Sequence, residues 1–154
     1  MTRASQALKR AATLTKASAH AQTKAPAPGI EAKEKAITAA QGAALKKAEE
    51  IVIMQVGDLV IYTEYFVICS ASNSQQMKAI VDSVEEELHK QRVRPRAVEG
   101  RNSKEWTLMD FGDFVVHVFE KESRAYYSLE KLWMDAPRVE FEPDESKAAL
   151  AGQD

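Results

Sequence analysis

The six-residue run Phe114-Val115-Val116-His117-Val118-Phe119 most constrains what this chain can fold into. At the two-residue period of a strand, Val115 and Phe119 lie on one side while Phe114, Val116 and Val118 lie on the other. Both sides are apolar, and a strand of this kind is stable only where both faces of its sheet are covered. A solvent-faced sheet is thereby excluded and a layered arrangement, with a sheet between helices, is required.

The remaining elements follow from local pattern. Ile37, Ala40, Ala44, Leu45 and Ala48 recur at helical spacing between Ile30 and Glu50 and predict a surface-packed helix. The β-branched runs Ile51 to Val56 and Tyr65 to Cys69 read as strands, separated by Gly57-Asp58 and by Leu59 to Tyr62, which extends the first strand or forms a turn. Ser72 or Asn73 can cap the next helix, whose apolar stripe is Met77, Ile80, Val81, Val84 and Leu88. Pro95 to Gly100, Glu105 to Asp110 and Asp113 to Glu120 are of strand length, and their short turns at Gly100 to Ser103 and Phe111-Gly112 predict an antiparallel meander. Ser123 to Trp133 supplies a last helix, with Tyr126, Leu129, Leu132 and Trp133 on one stripe and Pro137 beyond its end. The expected fold is α/β, a mixed sheet of about five strands flanked by helices.

Charge divides the chain. Residues 1–30 hold Arg3, Lys9, Arg10, Lys16 and Lys24 and no acid, whereas the rest has 16 basic and 23 acidic residues, so that a tail of net +5 precedes a body of net −7. An acidic body is a poor primary ligand for a phosphate backbone, where affinity comes from lysine and arginine displacing counterions, and it suits a basic protein surface better. The first 30 residues read as a disordered extension or as an organellar transit segment, residues 31–141 as the domain with its leading helix, and residues 142–154 as an acidic tail that frays. Sparse arginine and the linker-like Pro26, Pro28 and Gly29 favour the plain extension. Cys69 is the only cysteine, so no intrachain disulfide exists, and its apolar run predicts a buried thiol. Gln55, Asp58 and Glu64 interrupt the most hydrophobic region, which argues against a membrane-spanning helix.

Each polar candidate has a structural and a functional reading. Asp110 and Asp113 in Asp-Phe-Gly-Asp could hold magnesium for nucleotidyl or phosphoryl transfer, or cap a hairpin. The hairpin is favoured, because no glycine-rich loop with a lysine accompanies them, and Cys69 to Ser74 contains no glycine to wrap a triphosphate. His117, midway along an apolar strand, fits core or interface packing better than general-base chemistry, since no nucleophile elbow accompanies it. One cysteine and no clustered ligands leave no basis for a zinc site, and no cofactor is expected. Trp106 fills the core or crowns an exposed sheet surface, where Leu108, two residues on, would share its face. Tyr126 and Tyr127 read as helix packing with one reaching the surface; Arg92, Arg94 and Arg96 form a solvated strand entry or a peripheral contact to RNA.

These features compose one pattern. Tyr65-Phe66-Val67-Ile68-Cys69, then Ser72, Ser74, Gln76, Lys78, Ala79 and Ile80, resembles the opening signature of the ribosomal silencing factors, also called the Iojap family. Val98-Glu99-Gly100, Trp106, Asp110, Gly112-Asp113, Val115-Val116-His117, Tyr127 and Leu129-Glu130-Lys131-Leu132-Trp133 continue it in order and spacing, from about Ala48 to Val139. Glu64 stands where the family usually carries aspartate, and Ala71 replaces a common glycine or threonine.

The resemblance implies a nucleotidyltransferase-like fold without catalytic residues, and therefore no enzyme. It implies a translational repressor that binds the fourteenth protein of the large ribosomal subunit at the intersubunit face and sterically blocks joining of the small subunit. Under it Glu99, Gly100, Trp106, Leu108, Asp110, Asp113, His117 and Tyr127 become the expected partner-binding residues. It further implies homodimers among free members and a bacterial cytoplasmic setting, with mitochondrion or plastid as the alternative if the tail is cleaved. Two rival functions stay open: a factor for large-subunit assembly using the same face, and a metal-dependent transferase using Asp110 and Asp113.

Overall fold

In chain order the elements are α1 (Ala32–Leu45), β1 (Glu49–Gln55), β2 (Tyr65–Ala71), α2 (Ser74–His89), β3 (Ala97–Glu99), β4 (Trp106–Asp110), β5 (Phe114–Glu120), α3 (Lys121–Tyr127), α4 (Leu129–Leu132) and β6 (Arg138–Val139). The computed structural model describes residues 31–144, so the tail expected at 1–30 and all but the first three residues of the tail expected at 142–154 lie outside the described residues. Within the stretch expected to fray, Asp144 is tied back to α1, its amide donating to Gln41 Oε1 at 2.8 Å.

The strands form one mixed sheet in the order β3-β4-β5-β2-β1-β6. Its centre is the parallel pair β2/β5, in register from Tyr65 opposite Phe114 to Ala71 opposite Glu120. The meander β3-β4-β5 is antiparallel, as its short turns require. The sheet has six strands rather than five, because Arg138 and Val139 pair with Met54 and Ile53; a two-residue strand is too short for periodicity to reveal. Leu59 to Tyr62 forms turns and extends no strand.

The two-sided apolar pattern of β5 splits the core in two. Phe114, Val116 and Val118 pack with Val67, Cys69 and Ile53 beneath α1 and α2. Val115 and Phe119 join Phe66, Ile68, Trp106 and Leu108 on the opposite face, under short elements only: α3, α4 and the loop around Val60. Two long helices thus cover one face, and about three turns of helix plus a loop cover the other.

On the thick face, α2 buries the expected stripe, Met77, Ile80, Val81, Val84 and Leu88. It starts at Asn73, whose Oδ1 accepts from the Gln76 amide at 2.8 Å, while Gln76 Nε2 donates to the carbonyls of Lys46 and Lys47 and so joins α2 to the end of α1. The buried face of α1 departs from the expected one. It is the alanine row Ala36, Ala39, Ala40 and Ala43 with Gly42, and Ala44 and Leu45 are only half-buried. Small side chains let α1 approach closely: a Cβ added at Gly42 would stand 3.0 Å from Val84 Cα, and Ser83 Oγ donates to the Gly42 carbonyl at 2.7 Å. Side-chain size selects this row where hydrophobicity alone does not.

The helix expected over Ser123 to Trp133 is two helices. It begins two residues earlier, because the Glu120 carboxylate accepts from the amides of Glu122 and Ser123. It breaks at Ser128, which adopts φ 49 and ψ 43, a left-handed conformation that ends α3 and turns the chain into α4.

Candidate functional site

The thinly covered face gathers an aromatic cluster from separate elements. Trp106 from β4 stacks on Phe119 from β5 at 4.7 Å and lies 5.1 Å from Tyr127 of α3. Phe66 of β2 meets His117 edge-on at 4.9 Å and Trp133, just after α4, at 6.0 Å. Period two brings His117 to this face opposite Leu108 in the ladder, and Trp106 Nε1 donates to His117 Nδ1 at 3.1 Å.

That bond sets the histidine's chemistry. An indole N–H only donates, so Nδ1 is the acceptor and the proton of the neutral ring sits on Nε2. Burial pushes the imidazole down to about 3. A neutral ring, proton already on Nε2 and wedged between aromatics, is a poor general base. His117 Nε2, Trp133 Nε1 and Thr63 Oγ1 are all buried without a hydrogen-bond partner.

Several expected partner-binding residues therefore lie in this cluster, as its packed floor. Trp106 is 8% exposed and Leu108 4%, so neither crowns an open sheet surface in the free protein. Tyr127 is buried, with its hydroxyl donating to Glu105 Oε2 at 3.0 Å; Tyr126 is the one of the pair that reaches the surface. Glu99 is exposed on the edge strand β3, opposite Leu108. Gly100 follows it at φ +73, in a turn closed by the Ser103 amide on the Gly100 carbonyl.

Asp110 and Asp113 serve separate structural contacts. Asp110 Oδ1 accepts from the Gly112 amide at 2.8 Å and caps the β4/β5 turn, the hairpin reading. Asp113 pairs with Lys35 of α1 at 3.2 Å. Among the described residues no group of three or more His, Cys, Asp or Glu is gathered to hold a metal ion, and no helix is long and apolar enough to cross a membrane. Burial pushes the Cys69 thiol up to about 12, against a partial lowering by Arg124. Arg92, Arg94 and Arg96 are all exposed.

Two features escaped the sequence reading. The first is Arg124, 7% exposed, which donates through Nε and Nη2 to both oxygens of Glu130 at 2.8 and 3.0 Å and through Nη1 to the Glu50 carbonyl and Ser70 Oγ at 2.7 and 2.8 Å. This fork clamps the α3–α4 corner to β1 and β2, and Arg124 holds the Glu130 carboxyl below the usual range. Glu50 itself has φ 48 at a register shift in β1. The second is an apolar rim: Ile61 is 97% exposed and Met134 75%, with Leu59 and Leu132 about half. Both parts of the rim belong to the cover of the thin face, since Val60, Trp133 and Ala136 share one cluster and the Gln55 amide donates to the Pro137 carbonyl. Exposed acids Asp58, Glu64 and Asp135 stand in the same two segments, against Lys131.

Comparison with known proteins gives this face its context. A family model described as ribosomal silencing factor during starvation matches residues 29–154. A ribosomal silencing factor of Halalkalibacterium halodurans is 41% identical over 97 residues, spanning 63% of this chain and 83% of the relative. One from Bacillus subtilis is 36% identical over 97 residues, with 63% and 82% covered. A mouse protein named for mitochondrial assembly of the ribosomal large subunit is 33% identical over 91 residues, 57% of this chain and 40% of that protein. A crystal structure from Bacillus halodurans superposes with a TM-score of 0.63 at 36% identity, covering 71% of this chain and 99% of that one. Sequence and fold agree, and this chain belongs to the ribosomal silencing factor family.

Proposed function

We propose that this protein represses translation without chemistry, by docking on the large ribosomal subunit at its fourteenth protein and occupying space that the small subunit must enter. The observation that carries this reading is the thin face of the sheet: an apolar rim, Leu59, Ile61, Leu132 and Met134, set among acids on a body of net −7. The four side chains stand on the two segments that cover the thin face, and exposed large apolar side chains with acids beside them suit a basic protein that carries apolar residues of its own. Family membership supplies the ribosomal context.

The expected partner-binding residues take graded parts in this scheme. Glu99 stands exposed on the edge strand and meets the basic partner, whereas Asp113, paired with Lys35 of α1, braces the turn. Trp106, Leu108, His117 and Tyr127 form the floor that keeps the docking face rigid, and Gly100 and Asp110 shape the turns beside it. Inhibition is steric and reversible by mass action, so abundance and affinity set its strength. Arginines 92, 94 and 96 offer a peripheral contact to RNA. The setting is the bacterial cytoplasm, with mitochondrion or plastid as the alternative.

A second reading, large-subunit assembly, is favoured by the name of the mouse relative and uses the same face. Co-sedimentation of the full chain with isolated large subunits, and separately with assembly precursors, tests both. Binding to mature large subunits supports silencing. Binding confined to precursors shifts the function to assembly, and binding to neither refutes both.

A further inference from the structure

The α3–α4 corner is a poorly self-supporting element held in one position by a half-buried charge pair. α4 has four residues, too few for a stable helix alone, and enters through the left-handed Ser128, a conformation that costs energy for a residue with a side chain. What fastens it is the two-pronged Arg124–Glu130 pair, itself bound to the Glu50 carbonyl and Ser70.

Directly after α4 comes Trp133, half-buried between the exposed Leu132 and Met134. Its ring rests on Phe66, while its Nε1 is buried with no acceptor. An indole nitrogen can only donate, so no rearrangement of its own proton relieves this. Burying such a donor unpaired is costly, and the cost is recovered when an acceptor arrives. The anchor of an interface is characteristically a tryptophan seated in a well-packed pocket with an apolar surround.

We propose that Trp133 is a hydrogen-bond donor held in reserve for the docking surface, covered in the free chain and giving its indole N–H to a backbone carbonyl of the basic ribosomal protein once docking displaces that cover, and that Arg124 and Glu130 are its positioning residues. This rests on the large-subunit reading above. The rim residues exclude water around the new bond, and the Arg124–Glu130 pair presents the donor without touching the partner.

The test replaces Trp133 site-specifically by its benzothiophene analogue, which keeps the ring and removes the N–H, and separately makes Glu130→Gln. Affinity for isolated large subunits, thermal midpoint and amide exchange are measured on the full chain. The analogue should bind about tenfold more weakly, as expected for one lost hydrogen bond, with no loss of thermal stability. Glu130→Gln should raise exchange in residues 129–136 while β2 and β5 stay protected, and should weaken binding. Combined, the two changes should weaken binding by less than the product of their separate effects, because the second acts through the donor that the first removes. Unchanged binding of the analogue overturns the proposal and leaves the large-subunit reading intact. So does binding loss in the two variants that multiplies independently. A wild type that does not bind large subunits overturns both. Should Glu130→Gln unfold the whole domain, the analogue decides alone.

Discussion

Replacing His117 by phenylalanine removes the one buried imidazole among the described residues, and the consequence is a pH dependence of calculable size. In the folded chain the ring is held down to about 3 by burial, with its Nδ1 already engaged by Trp106. In the unfolded chain it titrates near 6.5. Below that pH the unfolded state binds a proton that the folded state refuses, so stability is full above pH 6.5 and is lost as pH falls towards 3. At pH 4.5 the unfolded ring is almost wholly protonated and the folded ring almost wholly neutral; relative to pH 7 the wild type loses about 2.5 kcal/mol through this residue. The phenylalanine variant has no such loss, although it leaves the Trp106 N–H without its acceptor, a penalty of about 1–3 kcal/mol that does not vary with pH. Glu130, whose carboxyl is depressed by Arg124, also loses stability as pH falls, but it does so in both proteins and cancels in the difference. Urea unfolding followed by circular dichroism at pH 7, 5.5 and 4.5 measures the difference directly. The gap between the two proteins should shift by about 2.5 kcal/mol in favour of the variant across this range. Parallel stability curves would refute the reasoning, showing that His117 takes up its proton in the folded state.

Other expectations separate support from contact. Trp106→Ala should destabilise the domain by about 3–5 kcal/mol in urea unfolding, because a buried, stacked ring is lost, so reduced ribosome binding by that variant cannot be read as a lost contact. Ile61→Ser should leave stability within about 0.5 kcal/mol and weaken large-subunit binding severalfold in co-sedimentation; unchanged binding would remove Ile61 from the rim. Gly100→Ala should cost more than about 1 kcal/mol, since the position has φ +73 and an added Cβ would meet the Trp106 carbonyl oxygen at 2.7 Å. Cys69 should react with a thiol reagent only as fast as the domain unfolds, its thiol being buried and raised to about 12; rapid labelling of native protein would contradict the packing of β2.

The central sheet was legible in the sequence because strand patterning is strongest where both faces are apolar. Phe114 to Phe119 declared its two faces, and the meander was readable from its turn residues. The rest failed for identifiable reasons. β6 is too short to carry a period. The stripe of α1 was misread because close approach selects alanine for its size. The break at Ser128 was invisible, since Tyr126 and Leu132 continue an apparently helical spacing and serine carries no mark of a left-handed turn.

At the site, the two-residue period placed Trp106 and Leu108 on one side of the sheet, the structure adds His117 and Tyr127 to that side, and the burial of all four was beyond residue type. It depends on how much chain folds over them, and that is set by the α3–α4 corner. Arg124 drew no reading from the sequence because its partners, Glu50, Ser70 and Glu130, come from three separate segments. The one available signal was Glu130 itself, a carboxylate six residues on from Arg124. Exposure of Ile61 and Met134 follows from their positions on the cover of the core, which hydropathy reads backwards.

The most direct test of steric silencing is a subunit-joining titration. Isolated large subunits are preincubated with increasing full-length protein, small subunits are added, and association is followed by light scattering. Joining should fall in proportion to large subunits occupied, with small subunits added in excess restoring it and no nucleotide or metal consumed in the process. Undiminished joining by large subunits shown to carry the protein would contradict the account.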